Sequence, residues 1–406
     1  MTDRPCRLAV LASHPIQYFT PIYQRLARRA GVEVDVMFYR DFGVRDRFDK
    51  QFGRTVRWDT DQLSGYRYRF LTNISPISDT FTPLHAVNPG AFFRVLRGFD
   101  AIWVNGYTYP SNWLAALAAR ARRIPILFRS ELRLEPNRKG GIASAARDAV
   151  IRRWIRWSDA LLYIGEANRR AYLAYGAREG QLHFSPYSAD VERIGTVRAA
   201  HASPEAHASL RRKWGVPVDV PVVLFVGKLI GRKHPEVMLR LAASLLADAH
   251  IVVAGSGPME PELREQSGRN QTGNIAFLGF VNQKLLPEVY ALADVFVLPS
   301  EDEPWGIVLN EAMAAGLVPI VSDQVGAAPD LIREGETGYV VAAGDTAAIM
   351  GHVRALLADP PRCRRMADAA REQSRVYDYD ATAEGVVDAL RSVGALDAPR
   401  TPRRDW

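Results

Sequence analysis

Ser300-Glu301-Asp302-Glu303-Pro304-Trp305-Gly306-Ile307-Val308-Leu309-Asn310-Glu311-Ala312-Met313-Ala314-Ala315-Gly316 decides how this chain is read. Ala293-Asp294-Val295-Phe296-Val297-Leu298-Pro299 precedes it, and Leu317-Val318-Pro319-Ile320-Val321-Ser322-Asp323 follows. Both flanks are short apolar runs of strand length, the first stopped by a proline. Between them the sequence predicts a helix of about ten residues, closed by Gly316 at the C′ position. The unit is β-loop-α-β, the building block of a parallel sheet. In such sheets the loop beyond a strand's carboxyl end is where ligands bind.

The chemistry of that loop narrows the ligand. Gly306 lets backbone approach closely, and the amides of Gly306, Ile307 and Val308 open the helix. Such a start offers unpaired N–H groups and a partial positive charge, which favours phosphate. Glu303 lies just before the helix and Glu311 inside it, with seven residues between them. Carboxylates accept hydrogen bonds from hydroxyls. Two of them flanking a phosphate-favouring turn suit a diphosphate with a hydroxylated group at each end, the form of a nucleotide sugar. The plainer alternative is that both acids merely complement the helix dipole or sit on a solvated face.

Glu303-x7-Glu311, the run Ala312 to Val321 behind it, and Glu334-Gly335-Glu336-Thr337-Gly338-Tyr339-Val340 resemble the donor site of glycosyltransferase family 4. The resemblance extends over nearly the whole C-terminal half. It implies an α/β chain of the GT-B fold, two Rossmann-like domains facing across a cleft. It also implies retention of anomeric configuration and a nucleoside diphosphate sugar as substrate, UDP-linked rather than GDP-linked. Neither an essential metal nor a cofactor is implied. On this basis Glu303 would position the donor sugar and Glu311 would bind ribose hydroxyls. Lys228 and Lys233, with the amides from Gly306 to Val308 and the strand exit at Gly227, would hold the diphosphate.

Composition fits two core-bearing domains. The chain has 406 residues, 48% apolar and 24% charged, ordinary for a globular protein. No run of about 18 uncharged apolar residues predicts a membrane span, and no signal peptide is read at the N-terminus. Cys6 and Cys363 support neither a disulfide framework nor a zinc site and fit a cytoplasmic setting. The net charge of +7 divides unevenly, with +12 in residues 1–196 and −5 beyond. A basic N-terminal half suits an anionic acceptor, a lipid-linked one or the inner face of a membrane, and equally a generic solvated surface. Nucleic acid is disfavoured because no recognition motif accompanies the charge.

Four stretches carry further candidates. The first strand, Arg7 to Ala12, runs into Ser13-His14-Pro15-Ile16-Gln17-Tyr18, where many family members have a Gly-Gly turn. His14, Gln17 and Tyr18 are candidates for acceptor or phosphate contact. A helix after this loop carries Ile22, Leu26 and Ala30 on one face. Residues 40–90 read as irregular and aromatic, either lining an acceptor pocket or packing as loop core. Ile124 to Glu131 is a strand and its exit. Where many family members have a histidine this chain has Arg129-Ser130-Glu131, so Glu131 is a candidate for a base-like or hydroxyl-binding role and Arg129 for binding an anionic acceptor, or the two form a local ion pair. Residues 142–157 form a helix with Arg147, Arg152, Arg153, Arg156, Trp154 and Trp157, compatible with peripheral membrane contact or with an ordinary domain helix.

In the C-terminal half, Pro221-Val222-Val223-Leu224-Phe225-Val226-Gly227 starts a second Rossmann-like series. Its exit loop, Lys228-Leu229-Ile230-Gly231-Arg232-Lys233-His234, holds two of only six lysines in the chain, and ammonium is a compact partner for phosphate. Lys228 stands where the family usually has arginine, which keeps the charge but loses bidentate geometry. Ile251 to Pro258 contains Gly255-Ser256-Gly257, weak as a dinucleotide signal without a following acidic residue. The domains are expected at 1–195 and 196–378, with a helix at 379–397 crossing back to the first domain and a disordered tail at 398–406. Besides a hexosyltransferase, a sugar-nucleotide epimerase or hydrolase of the same fold and a non-catalytic sugar-nucleotide-binding subunit remain open.

Overall fold

The computed structural model describes residues 4–77, 84, 86–134, 141–269 and 272–396. Its strands in chain order are β1 (Cys6–Ala12), β2 (Val32–Phe38), β3 (Arg47–Asp49), β4 (Arg54–Val56), β5 (Arg67–Phe70), β6 (Ala101–Asn105), β7 (Ile126–Arg129), β8 (Ala160–Tyr163), β9 (Leu182–Phe184), β10 (Val222–Val226), β11 (His250–Ala254), β12 (Ile275–Gly279), β13 (Val295–Leu298), β14 (Val318–Ser322) and β15 (Tyr339–Val341). Two compact units result, one of residues 1–45, 61–186 and 379–406, the other of 46–60 and 187–378.

The first unit is a seven-stranded sheet, β5-β2-β1-β6-β7-β8-β9, parallel throughout. The second is six-stranded, β12-β11-β10-β13-β14-β15, again all parallel. Strands covered by helices on both faces must be apolar without alternation, and β10 and β14 are buried at every residue. Each sheet reverses its strand order once, between β1 and β6 and between β10 and β13. A crevice opens at such a switch point beyond the strands' carboxyl ends.

Several expectations need correction. The first unit ends at Pro186 rather than at 195, because the helix Val191–Ala200 packs against Leu286–Ala291 and Ile307–Ala314 in the second unit. Residues 40–90 are less irregular than the aromatic, turn-rich sequence suggested. They contain the edge strand β5 and the antiparallel hairpin β3–β4, and the hairpin belongs to the second unit. The first helix, Thr20–Arg28, buries Ile22 and Leu26 but stops before Ala30, which is exposed. Trp154 is no interfacial anchor. It is fully buried, stacked on Phe128 with centroids 5.3 Å apart and edge-on to Trp113 at 4.8 Å. On the same helix, Ile142–Trp157, the Arg153 guanidinium covers the Trp157 ring at 4.4 Å.

The last helix, Tyr379–Ser392, lies in the first unit and packs on Thr20–Arg28, β8 and β9. Thr382 bonds the Pro186 carbonyl at 2.7 Å, and Arg25 pairs with Asp380 at 2.7 Å. The tail 398–406 lies outside the described residues. No described helix is long and apolar enough to cross a membrane.

Candidate donor site

The second unit gathers the candidate residues on two loops that leave adjacent strands at its switch point, one after β10 and one after β13. The β10 loop starts at Gly227, whose amide bonds the Ala254 carbonyl at 3.0 Å. The neighbouring turn after β11 packs on it backbone to backbone. A Cβ on Gly255 would stand 1.8 Å from the Gly227 oxygen, and one on Gly257 would stand 2.4 Å from the Leu229 oxygen. That contact accounts for Gly255-Ser256-Gly257 without any dinucleotide.

Beyond Gly227 the chain forms a short 3-10 turn, Gly231–Lys233. Lys233 is only 8% exposed, and its ammonium meets the Glu303 carboxylate directly. Burial, then repulsion from Arg232 and Lys228, lowers its pKa to about 7. The two loops are tied together around this pair. The Glu301 amide bonds the Arg232 carbonyl at 2.8 Å, and the Arg232 guanidinium donates to the Asp302 carbonyl. His234 adopts φ +48° and lies between Glu236 (2.8 Å) and Glu301 (3.2 Å). Burial works against its charge, but those two carboxylates together prevail and raise its pKa. On its other side lies a cavity of about 220 Å³ against the ends of β13 to β15.

The β13 loop is braced from behind by the loop after β14. The Glu303 amide donates to the Gln324 carbonyl at 3.3 Å, the Glu303 carbonyl accepts from the Gly326 amide at 2.9 Å, and the Ala327 amide donates to the Trp305 carbonyl at 2.9 Å. Trp305 in turn donates its indole N–H to Asn310 at 2.9 Å. Gly326 has no room for a side chain, since a Cβ would sit 2.0 Å from the Pro304 oxygen. We expect Gly326→Ala to displace residues 303–305 and to cost about 2 kcal/mol by overpacking. Paired urea melts and turnover measurements check this; wild-type values in both contradict the bracing role.

Gly306, at φ +93°, caps the helix Ile307–Ala314, and Gly316 at φ +72° follows its last turn. The helix is two residues shorter than the ten expected. The amides of Ile307 and Val308 have no carbonyl four residues behind them within it. Glu311 does not lie on a solvated face. It is 4% exposed and accepts a hydrogen bond from the buried Tyr290 hydroxyl at 2.7 Å. Tyr290 therefore fixes the carboxylate in a position that the spacing alone could not specify.

Lys228 turns to the hairpin instead of to Glu303. Its ammonium donates to Gln51 Oε1 at 2.7 Å, lies 3.4 Å from Asp49 Oδ2, and sits 4.5 Å above the Phe52 ring. Desolvation lowers its pKa, and Asp49 opposes the shift. Sequence reasoning missed Asp49, Gln51, Tyr290 and Gly326. The first two lie in the stretch 40–90, which the sequence marks only as irregular and aromatic, with nothing to show the unit on which it packs.

The remaining candidates lie in the first unit. His14 faces the Ser13 hydroxyl at 2.9 Å and the edge of Phe42. Gln17 and Tyr18 are half-buried on the same loop beyond β1. Arg129 is 3% exposed, donates to Ser185 (3.1 Å) and the Pro186 carbonyl (3.2 Å), and covers the Phe19 ring. That is the environment of a guanidinium fixing local backbone. Glu131 is exposed.

Two Rossmann-like units with these switch points define the GT-B class. HepE of Anabaena, crystallised with UDP, matches the fold with a TM-score of 0.73 at 18% identity, over 95% of this chain and all of that one. WaaG, a glycosyltransferase of lipopolysaccharide biosynthesis, matches at 0.68 and 18% identity, over 95% of this chain and all of that one. Residues 15–188 match the glycosyl transferase 4-like domain, and residues 207–373 match glycosyl transferases group 1. The chain belongs to the family 4-type glycosyltransferases. The D-inositol 3-phosphate glycosyltransferase of Geodermatophilus obscurus is 32% identical over 242 residues, 56% of this chain and 51% of that one. The alpha-D-kanosaminyltransferase of Streptomyces kanamyceticus is 33% identical over 192 residues, 46% of this chain and 49% of that one. The chain spans about half the length of the curated relatives it matches.

Proposed function

We propose that the protein is a retaining hexosyltransferase that moves a sugar from a nucleoside diphosphate, UDP rather than GDP, to a hydroxyl acceptor in polysaccharide, glycolipid or natural-product biosynthesis. The observation that carries this reading is the buried Lys233–Glu303 pair beside the opening turn of Ile307–Ala314. It brings a cation and the amide end of a helix, which suit a diphosphate, next to a carboxylate that suits sugar hydroxyls. Glu311 is set for ribose and Glu303 for the transferring sugar. In the reaction the anomeric carbon–oxygen bond to the β-phosphate breaks and the acceptor oxygen bonds the same carbon from the same face. The acceptor's proton passes to a phosphate oxygen of the leaving diphosphate. Lys228, Lys233 and the helix amides stabilise the charge that develops there, which is electrostatic catalysis in a fixed frame. HepE's crystallisation with UDP and UDP-glucose supports the choice of base. Peripheral contact with a membrane through Ile142–Trp157 would bring a lipid-linked acceptor to the enzyme.

A thermal-unfolding screen of UDP- and GDP-sugars tests the donor. A ligand at one hundred times its Kd stabilises the folded state by about 2.7 kcal/mol, and each kcal/mol is worth roughly 2–4 °C for a unit of about 150–250 residues. UDP-sugars should raise the midpoint and GDP-sugars should not. The reverse pattern overturns the base assignment alone, and no shift with either overturns the donor reading. Incubation with donor alone then separates transfer from epimerisation, since an epimerase needs no acceptor.

A further inference from the structure

The hairpin β3–β4 and the residues after it lie along the carboxyl ends of β10, β11 and β12. Ser256 donates to the Phe52 carbonyl at 3.0 Å, Asn282 to the Arg57 carbonyl at 2.8 Å, and the Lys284 amide to the Asp59 carboxylate at 3.1 Å. Phe52 packs edge-on to Phe280 at 5.2 Å, and Arg54 covers the same ring at 4.8 Å. These bonds fix the hairpin tip over the Lys228 loop. At that tip Asp49 divides its carboxylate. Oδ1 accepts the amides of Gln51 (2.8 Å) and Phe52 (3.1 Å), which shapes the turn, while Oδ2 faces the Lys228 ammonium. Asp49 and Lys228 are both largely shielded from solvent, with 17% and 25% of their side chains exposed.

We propose that Asp49 is a built-in counter-ion of the donor site, a specificity-determining carboxylate that occupies Lys228 until a diphosphate takes the ammonium from it. The inference rests on the reading of Lys228 as a diphosphate ligand. A lysine left bare in a partly desolvated crevice would bind any passing anion. With Asp49 opposite, only a ligand whose own negative charge outweighs one carboxylate gains from the exchange. Gln51 completes the arrangement. Its amide oxygen solvates the ammonium without adding charge, so Lys228 keeps its place when Asp49 loses the contest.

Calorimetry with UDP and with uridine reads the effect. Asp49→Asn preserves the turn-forming oxygen and removes the charge, so UDP should bind about threefold to fivefold more tightly, the range of a partly exposed ion pair. Gln51→Glu adds a second carboxylate and should weaken UDP by a similar factor. Uridine, which brings no phosphate, should respond to neither. In a Lys228→Met background, itself at least about tenfold weaker for UDP, both changes should lose their effect. Unchanged or weaker UDP binding by Asp49→Asn at an unchanged melting temperature overturns the counter-ion role, as does equal tightening of uridine. UDP affinity indifferent to Lys228→Met overturns instead the assignment of Lys228 to the diphosphate. If Asp49→Asn lowers the melting temperature, Gln51→Glu decides: wild-type UDP affinity in that variant overturns the proposal.

Discussion

Glu303→Gln lowers turnover about 100- to 1,000-fold, the cost of losing one preorganised transition-state contact, while UDP affinity stays within a few-fold. Glu303 is the acidic residue best placed for this outcome because its backbone is bonded on both sides to the loop after β14, and its side chain touches Lys233. Glutamine keeps the shape and one acceptor oxygen but removes the charge. A sugar whose anomeric carbon becomes cationic in the transition state loses a partner that matters more there than in the ground state. Alanine is the poorer test, since it would also leave the buried Lys233 without the carboxylate it meets. The comparison belongs well below pH 7, because Lys233, with its pKa already lowered to about 7, loses a neighbouring carboxylate in the glutamine variant and becomes still easier to deprotonate. Turnover with the donor that the thermal screen selects, set beside UDP calorimetry, gives the result. Wild-type turnover removes Glu303 from the chemistry; lost UDP affinity makes it a structural partner of Lys233.

The fold was legible because both sheets are built from strands buried on two faces. Continuous runs such as Val222-Val223-Leu224-Phe225-Val226 have no other stable use in a chain that alternates them with amphipathic helices. The placement of Glu303, Gly306 and Lys233 on strand-exit loops was legible for a related reason: glycine, acid and lysine at a strand exit serve local geometry that sequence spacing encodes. Long-range pairing was not. Tyr290 reaches Glu311 across 21 positions, and Asp49 reaches Lys228 across 179. No periodicity joins a hairpin between β2 and β5 to a sheet that begins at residue 222. Arg129 stayed open between two readings for a similar reason. An arginine at a strand exit looks like a ligand-binding group until its partners, Ser185 and the Pro186 carbonyl, are known. In each case the sequence displayed the functional group and left its partner undetermined.

The second large effect is on Lys233. Lys233→Met should weaken UDP at least about tenfold, because a charge-assisted contact in a desolvated site is worth about 1.5–3 kcal/mol. It should also abolish a proton-linked signature of binding. With its pKa pushed down to about 7 by burial and by Arg232 and Lys228, Lys233 is largely neutral at about pH 8 in the free protein. A diphosphate beside it favours the charged form and draws the pKa back up. Binding at that pH therefore takes up a proton, and UDP affinity falls as pH rises from about 7 to 9. The ligand itself does not produce this slope, since a terminal phosphate with its second pKa near 6 is already fully ionised there. Calorimetry in two buffers of different ionisation enthalpy measures the uptake directly. The wild-type protein should show it, and Lys233→Met should show a flat pH profile. Wild-type binding without proton uptake at about pH 8 would mean that the lysine is already charged before the nucleotide arrives. An unchanged affinity in Lys233→Met would place the diphosphate elsewhere on the carboxyl edge of β10 to β15.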